Sequence, residues 1–196
     1  MEYLRSLWII FIILKKSLVL RKLTWCSLVF LLLVSCQGSG DSVMESSEGV
    51  FPSIQGNNLN KQSKTVPDDF VDKDLIVIVA FQQWHQAIVD ETIDSLEENG
   101  IGDTHNIIEV PTIQKTSKLS EIYLDGIMRA GIRDDRIRNR TITAYINKEE
   151  FKDVLGIPDE QTIYWYLIKK GTSVIQKKGY GVISEEEIFE IKELTS

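Results

Sequence analysis

Two regimes of apolar patterning divide this chain. The first 35 residues carry two continuous apolar runs, Leu7–Leu14 and Leu23–Val34, each beside a basic pair, Lys15-Lys16 and Arg21-Lys22. From residue 69 onward the runs are shorter and periodic. Leu75–Phe81 is unbroken and rich in Val and Ile, which predicts a strand covered on both faces. Trp84–Glu98 sets Trp84, Ile88, Ile93 and Leu96 opposite Asp90, Glu91, Asp94 and Glu98, which predicts an amphipathic helix ended by Asn99-Gly100. Asn106–Val110 predicts a second strand, stopped by Pro111. Ser117–Ala130 predicts a second helix with Leu119, Ile122, Tyr123 and Ile127 on one face. Arg140–Ile146 reads as a third strand. Asn147 with Glu150 reads as a capping box for a short helix carrying Phe151, Val154 and Leu155. Thr162–Ile168 is a strand that Lys170-Gly171 turns into a hairpin partner, Ser173–Gln176. Ser184 with Glu187 caps a last helix with Ile188, Ile191 and Leu194 at spacing three.

Residues 36–68 show no such period. They are rich in Gly, Ser, Asn and Gln, with Val43, Met44, Val50, Phe51 and Ile54 scattered among them, and are expected to form a flexible tether. The expected organisation is an export signal over 1–35, a tether over 36–68 and one folded domain over 69–196, long enough for a single core. The element order, β-α-β-α-β-α-β-β-α, predicts an α/β domain with a central mixed sheet. Its early βαβ units give parallel strands and its closing hairpin an antiparallel edge.

That order, together with Tyr145–Ile168 (Tyr-Ile-Asn-Lys-Glu-Glu-Phe through Tyr-Trp-Tyr-Leu-Ile), the Lys169-Lys170-Gly171 turn and the late pair Gly179 and Gly181, resembles the thioredoxin-like superfamily. The layout is nearest its peroxiredoxin-like branch. A weaker likeness, through Met128-Arg129-Ala130-Gly131-Ile132 and the last hairpin, is to thioredoxin-fold assembly factors of the mitochondrial ATP synthase. The resemblance implies a three-layer fold over roughly residues 70–194.

Leu33-Val34-Ser35-Cys36 follows the second apolar run and has the pattern of a bacterial lipobox. A basic pair, an apolar stretch too short for the ~20 residues of a membrane span and a small residue before the cleavage point make an export signal. Cys36 is expected to become the lipidated N-terminus, with the membrane as partner through that anchor. The alternative is an uncleaved signal anchor. Residues 1–14 read as an over-extended start or as an extra hydrophobic hairpin. Processing removes five basic and one acidic residue from totals of 22 and 29. The mature chain keeps 17 and 28, a net charge of −11. Such a surface argues against nucleic acid or anionic lipid as a general partner. Cys26 leaves with the signal, so the sulfur of Cys36 is the one cysteine sulfur left. Gln37, not Asp, follows it. In a Gram-negative host this pattern resembles lipoproteins sorted to the outer membrane and facing the periplasm. In a Gram-positive host the domain would sit on the outer face of the cell membrane.

In redox members of the resembled superfamily, the turn after the first core strand carries one or two cysteines at a helix N-terminus. Here that turn reads Ala80-Phe81-Gln82-Gln83-Trp84-His85-Gln86, and Gln161-Thr162 stand where a proline often precedes the hairpin strand. Without a thiolate the chain is neither a thiol–disulfide oxidoreductase nor a cysteine peroxidase. Two readings of the turn stay open. Gln82, Gln83, Trp84 and His85 could form a small site for a carbonyl, carboxylate or phosphate beside a helix N-terminus. Alternatively, Trp84 packs on the core and the polar residues solvate a loop. His85 and His105 are the two histidines, too far apart in sequence for a ligand set, and neither a nucleophile elbow nor a glycine-rich phosphate loop occurs. No metal and no cofactor are expected. All five arginines of the mature chain lie between Arg129 and Arg140. Arg129, Arg133 and Arg136 are either an anion-binding or partner-docking patch or a solvated loop neutralised by neighbouring carboxylates. The function expected is an envelope lipoprotein whose redox-inactive domain binds or assembles a protein partner. The alternative is a non-thiol enzyme centred on Gln82–His85.

Overall fold

The stretch expected to be a tether folds from Phe51 onward. The protein is described here from a computed structural model over residues 49–195, within one compact unit. Cys36, the signal and the first part of the expected tether lie outside the described residues. Strands β1 (Ile54–Asn58) and β2 (Ser63–Val66) make an antiparallel hairpin. Phe51, Ile54, Leu59 and Val66, scattered through a polar sequence, are all buried. The turn is held by Asn58, whose Oδ1 accepts the N–H groups of Asn60 and Gln62 at 3.0 and 2.9 Å. Side chain–backbone bonding of this kind is why Asn favours turns.

The chain continues through β3 (Asp74–Ala80), a 3₁₀ turn at Gln83–His85, α1 (Gln86–Glu98), the short α2 (Ile101–Thr104), β4 (His105–Gln114), α3 (Lys118–Gly131) and α4 (Asp135–Arg140). It closes with β5 (Ile142–Ile146), α5 (Lys148–Leu155), β6 (Tyr164–Ile168), β7 (Ile175–Tyr180) and α6 (Glu185–Leu194). The seven strands form one mixed sheet in the order β2-β1-β5-β4-β3-β6-β7. β3, β4 and β5 run parallel to one another, and the hairpins β1–β2 and β6–β7 flank them antiparallel. The expected α/β class with a central mixed sheet is present, while the element order differs by the N-terminal hairpin, the short α2 and α4.

The sheet divides two cores by simple alternation. Leu75, Val77 and Val79 of β3 join Ile108, Val110, Ile142, Tyr166 and, from α5, Phe151 and Leu155. Ile76, Ile78 and Ala80 face the other way, against Val89, Ile93 and Leu96 of α1 and Ile188 and Ile191 of α6. Pro111 does not stop its strand. It pairs with Ala80 at the end of the β3 register, and from Thr112 the pairing passes to β5. α3 also departs from the usual pattern, turning Leu119, Ile122 and Tyr123 to solvent and Glu121 inward.

Gly179 stands opposite Trp165 in the β6–β7 register, and the fully buried indole lies where a Cβ at 179 would be. Gly179→Ala is therefore expected to lower unfolding free energy by about 1–3 kcal/mol, the range for overpacking. Gly126→Ala, in open space on α3, should raise it by up to ~1 kcal/mol. Urea titration of both variants measures this pair of opposite shifts.

Candidate functional site

β3 delivers the chain into the 81–85 turn at the carboxyl end of the parallel strands, and the side chains there part in opposite directions. Gln82 Nε2 donates to Glu160 Oε2 at 2.8 Å. The same carboxylate accepts Lys148 Nζ at 2.6 Å and pairs with Lys152 Nζ at 3.2 Å. Lys148 also lies 5.4 Å over the Phe81 ring, and Lys152 reaches Glu149 at 2.9 Å. Lys148, Lys152 and Glu160 are only 14–19% exposed. Burial pushes the Glu160 carboxyl up, but the two ammonium groups outweigh it and hold the group below its usual range.

Trp84 and His85 exchange their expected places. The 3₁₀ turn at 83–85 rotates about 120° per residue rather than 100°, so the face it presents is out of phase with α1. Trp84 is 57% exposed, while His85 is fully buried, with the two rings edge-on at 4.2 Å. The buried face of α1 becomes Val89, Thr92, Ile93 and Leu96. His85 Nδ1 accepts the Phe81 N–H at 3.3 Å, so the ring proton sits on Nε2, on the side of the Glu160 backbone. Desolvation lowers the His85 pKa and keeps the ring neutral. Gln83 stays exposed at the rim.

β6 and β7 supply the other side of this end. Val79, Tyr164 and Tyr180 lie in one row of the sheet, and the Gly181 N–H donates to the Ile163 carbonyl at 2.9 Å. Tyr180 and Val182 are exposed. The turn therefore presents aromatic and amide surface above a closed polar lock, without a nucleophile. Among the described residues no group of three His, Cys, Asp or Glu side chains could hold a metal ion. No helix there is long and apolar enough to cross a membrane.

The arginines are not brought to this site. Arg138 caps α3, donating from Nε to the Ile132 carbonyl at 2.6 Å and from a terminal nitrogen to the Arg129 carbonyl at 3.0 Å. Arg136 and Arg140 share Glu97 of α1, at 3.3 and 2.7 Å. Arg129 and Arg133 enter no ion pair among the described residues. Most of the cluster fastens α3, α4 and α1 together.

A buried carboxyl beneath α1 escaped the sequence reading. Glu109 of β4 is 3% exposed and points, with Ile107, away from the face occupied by Ile108 and Val110. Thr141 Oγ1 donates to it at 3.4 Å. Burial first and Asp90 second push its pKa from 4.5 to about 7, against the Gln86 amide, Arg140 and Thr141. The available signal was a lone Glu inside the apolar stretch 107–113.

No protein-family model matches the sequence, and no curated protein matches it. Among solved structures, the chain is similar to the pneumococcal exposed lipoprotein thioredoxin of Streptococcus pneumoniae, with a TM-score of 0.50 at 12% identity, covering 72% of this chain and 98% of that one. A protein of Aquifex aeolicus, described as a candidate electron transfer protein, matches at TM-score 0.48 and 13% identity, over 76% and 92% of the two chains. The mitochondrial 2-Cys peroxiredoxin of Plasmodium falciparum matches at 0.44 and 12%, over 72% and 88%. The fold is thioredoxin-like.

Glu160→Ala strands the largely buried Lys148 ammonium and leaves Lys152 to Glu149 alone, and should cost about 1–3 kcal/mol; chemical denaturation would show a midpoint clearly below wild type. Glu109 holds its proton in the folded state up to about pH 7 and in the unfolded state only to about 4.5. Its contribution therefore falls as pH rises between those values. Relative to wild type, Glu109→Gln should gain up to about 3 kcal/mol between pH 4.5 and 8. The lowered pKa values of His85 and His105 act in the opposite sense in both chains and cancel in the difference.

Proposed function

We propose that this protein is an envelope lipoprotein, held to the membrane by acyl chains on Cys36, whose thioredoxin-like domain binds a protein partner without thiol chemistry. The observation that carries the reading is the occupied turn. Where redox relatives place a thiol, Gln82 is tied to Glu160, and Trp84 and Tyr180 stand exposed at this end of the sheet. Exposed aromatic residues on a rigid support are favourable anchors for protein recognition. The pneumococcal neighbour is itself described as a lipoprotein thioredoxin, so a domain of this fold on a lipid anchor has a parallel. The site on this reading faces the periplasm from the outer membrane in a Gram-negative host.

A photo-crosslinking residue in place of Trp84, in intact envelopes, should yield a discrete protein adduct that Tyr180→Asp weakens severalfold. Cys36→Ser should move the protein from the membrane fraction to the soluble one. Turnover of a disulfide or peroxide substrate by the purified mature protein would falsify the proposal.

A further inference from the structure

α3 is built with its carboxylates inward and its apolar residues outward. Leu119, Ile122 and Tyr123 are 82%, 61% and 60% exposed, and the stripe continues through the exposed Gly126 and Ala130. These positions share one face of a 3.6-residue helix, and none is charged. On the opposite side Glu121 is 7% exposed. The Tyr145 hydroxyl of β5 shares its one proton between Asp125 Oδ1 at 2.7 Å and the Glu121 carbonyl at 3.1 Å. Arg138 holds the C-terminal carbonyls of the same helix. The helix is thus fastened by its polar side at both β5 and α4, and the apolar stripe is left uncovered among the described residues.

Cations stand at both ends of the stripe, and at the far end the exposed Asp134 and Asp135 follow them. Lys115 and Lys118 precede it, Lys118 with 83% of its side chain exposed and paired to Glu121 at 3.3 Å. Arg129 and Arg133 follow it. A two-fold contact with a second copy would set Lys115 and Lys118 against Arg129 and Arg133 in the antiparallel arrangement, or like against like in the parallel one. Anionic headgroups meet the Lys115 and Lys118 end favourably and Arg129 beside the stripe, and an apolar helix face flanked by cations with a Tyr is the composition of a helix that lies in a bilayer interface. The domain as a whole is acidic, so only this local surface is suited to the contact.

The tether permits the contact. Cys36 and Gly49 are 13 residues apart, a reach of at most ~45 Å. The bridge Val50–Val174 brings the chain in beside the β6–β7 turn, and β5, beneath α3, is three strand spacings from β6, about 15 Å. We infer that the α3 stripe docks the domain onto the surface of an anionic bilayer, laying Leu119, Ile122 and Tyr123 into the headgroup boundary. This rests on the proposed acylation of Cys36.

The test uses the mature acylated protein, reconstituted in vesicles of phosphatidylethanolamine and phosphatidylglycerol. Ile122→Cys provides a single free thiol for a nitroxide, because the Cys36 sulfur is acylated, and Asp153→Cys on α5 is the control. The expected result is an oxygen-to-chelate accessibility ratio severalfold higher at 122 than at 153, falling to the control value when Leu119→Asp and Tyr123→Asp are added. A water-like label at 122 on an acylated, vesicle-bound chain overturns the docking and leaves the anchor standing. Dipolar broadening between labels at 122 identifies a second copy as the occupant and also overturns it. A mass spectrum showing an unmodified Cys36 overturns the anchor reading, and the docking with it.

Discussion

Strand β3 has no solvent side, and the position of the 81–85 turn depends on that. Six of its seven residues are buried, divided by alternation between two cores. A one-residue slip would send each set to the other core and change every packing partner. Burial of one such side chain is worth roughly 1.5–3 kcal/mol, so the register against β4 and β6 is strongly imposed. That register ends at Ala80 opposite Pro111 and Val79 opposite Tyr164. The chain must leave the sheet at Phe81, with the Glu160 loop directly across from it.

What occupies that exit is an ion cluster rather than a reactive group. Lys148 and Lys152 come from the first turns of α5, Glu160 from the loop that leads to β6, and Gln82 from the exit itself. Opposite charges removed from bulk water hold one another more firmly than exposed pairs do. The cluster therefore adds a polar tie to three segments that the hydrophobic core already brings together through Phe81, Phe151, Leu155 and Ile157. A surface held in this way is preorganised, so a partner meeting Trp84 need not order the turn on binding.

The central α/β order was legible because Leu75–Phe81 and Thr162–Ile168 are runs no other element accommodates. The hairpin at 54–66 was not, since Phe51, Ile54, Leu59 and Val66 contribute to the core individually, without a period, and their partner strand β5 is over 70 residues away. At the candidate site, the residues of the turn were found, but the roles of Trp84 and His85 were inverted by three residues of 3₁₀ geometry. Glu160, Lys148 and Lys152 were invisible as a group because their proximity is created by the fold. On α3 the apolar periodicity was real, yet its direction depended on Tyr145 reaching Asp125, a tertiary bond that overrides the local pattern.

The two rims of the sheet carry a consequence of their own. β2 is four residues long and runs into Pro67, and β7 ends the other side with Lys177 and Lys178 along its length, Lys177 paired with Glu190 of α6. Unpaired backbone at a sheet margin invites the next chain to add a strand, and brevity, proline and lysine each discourage it. Copies crowded side by side therefore remain separate sheets. Contact between this domain and its surroundings is left to side chains, not to the peptide backbone.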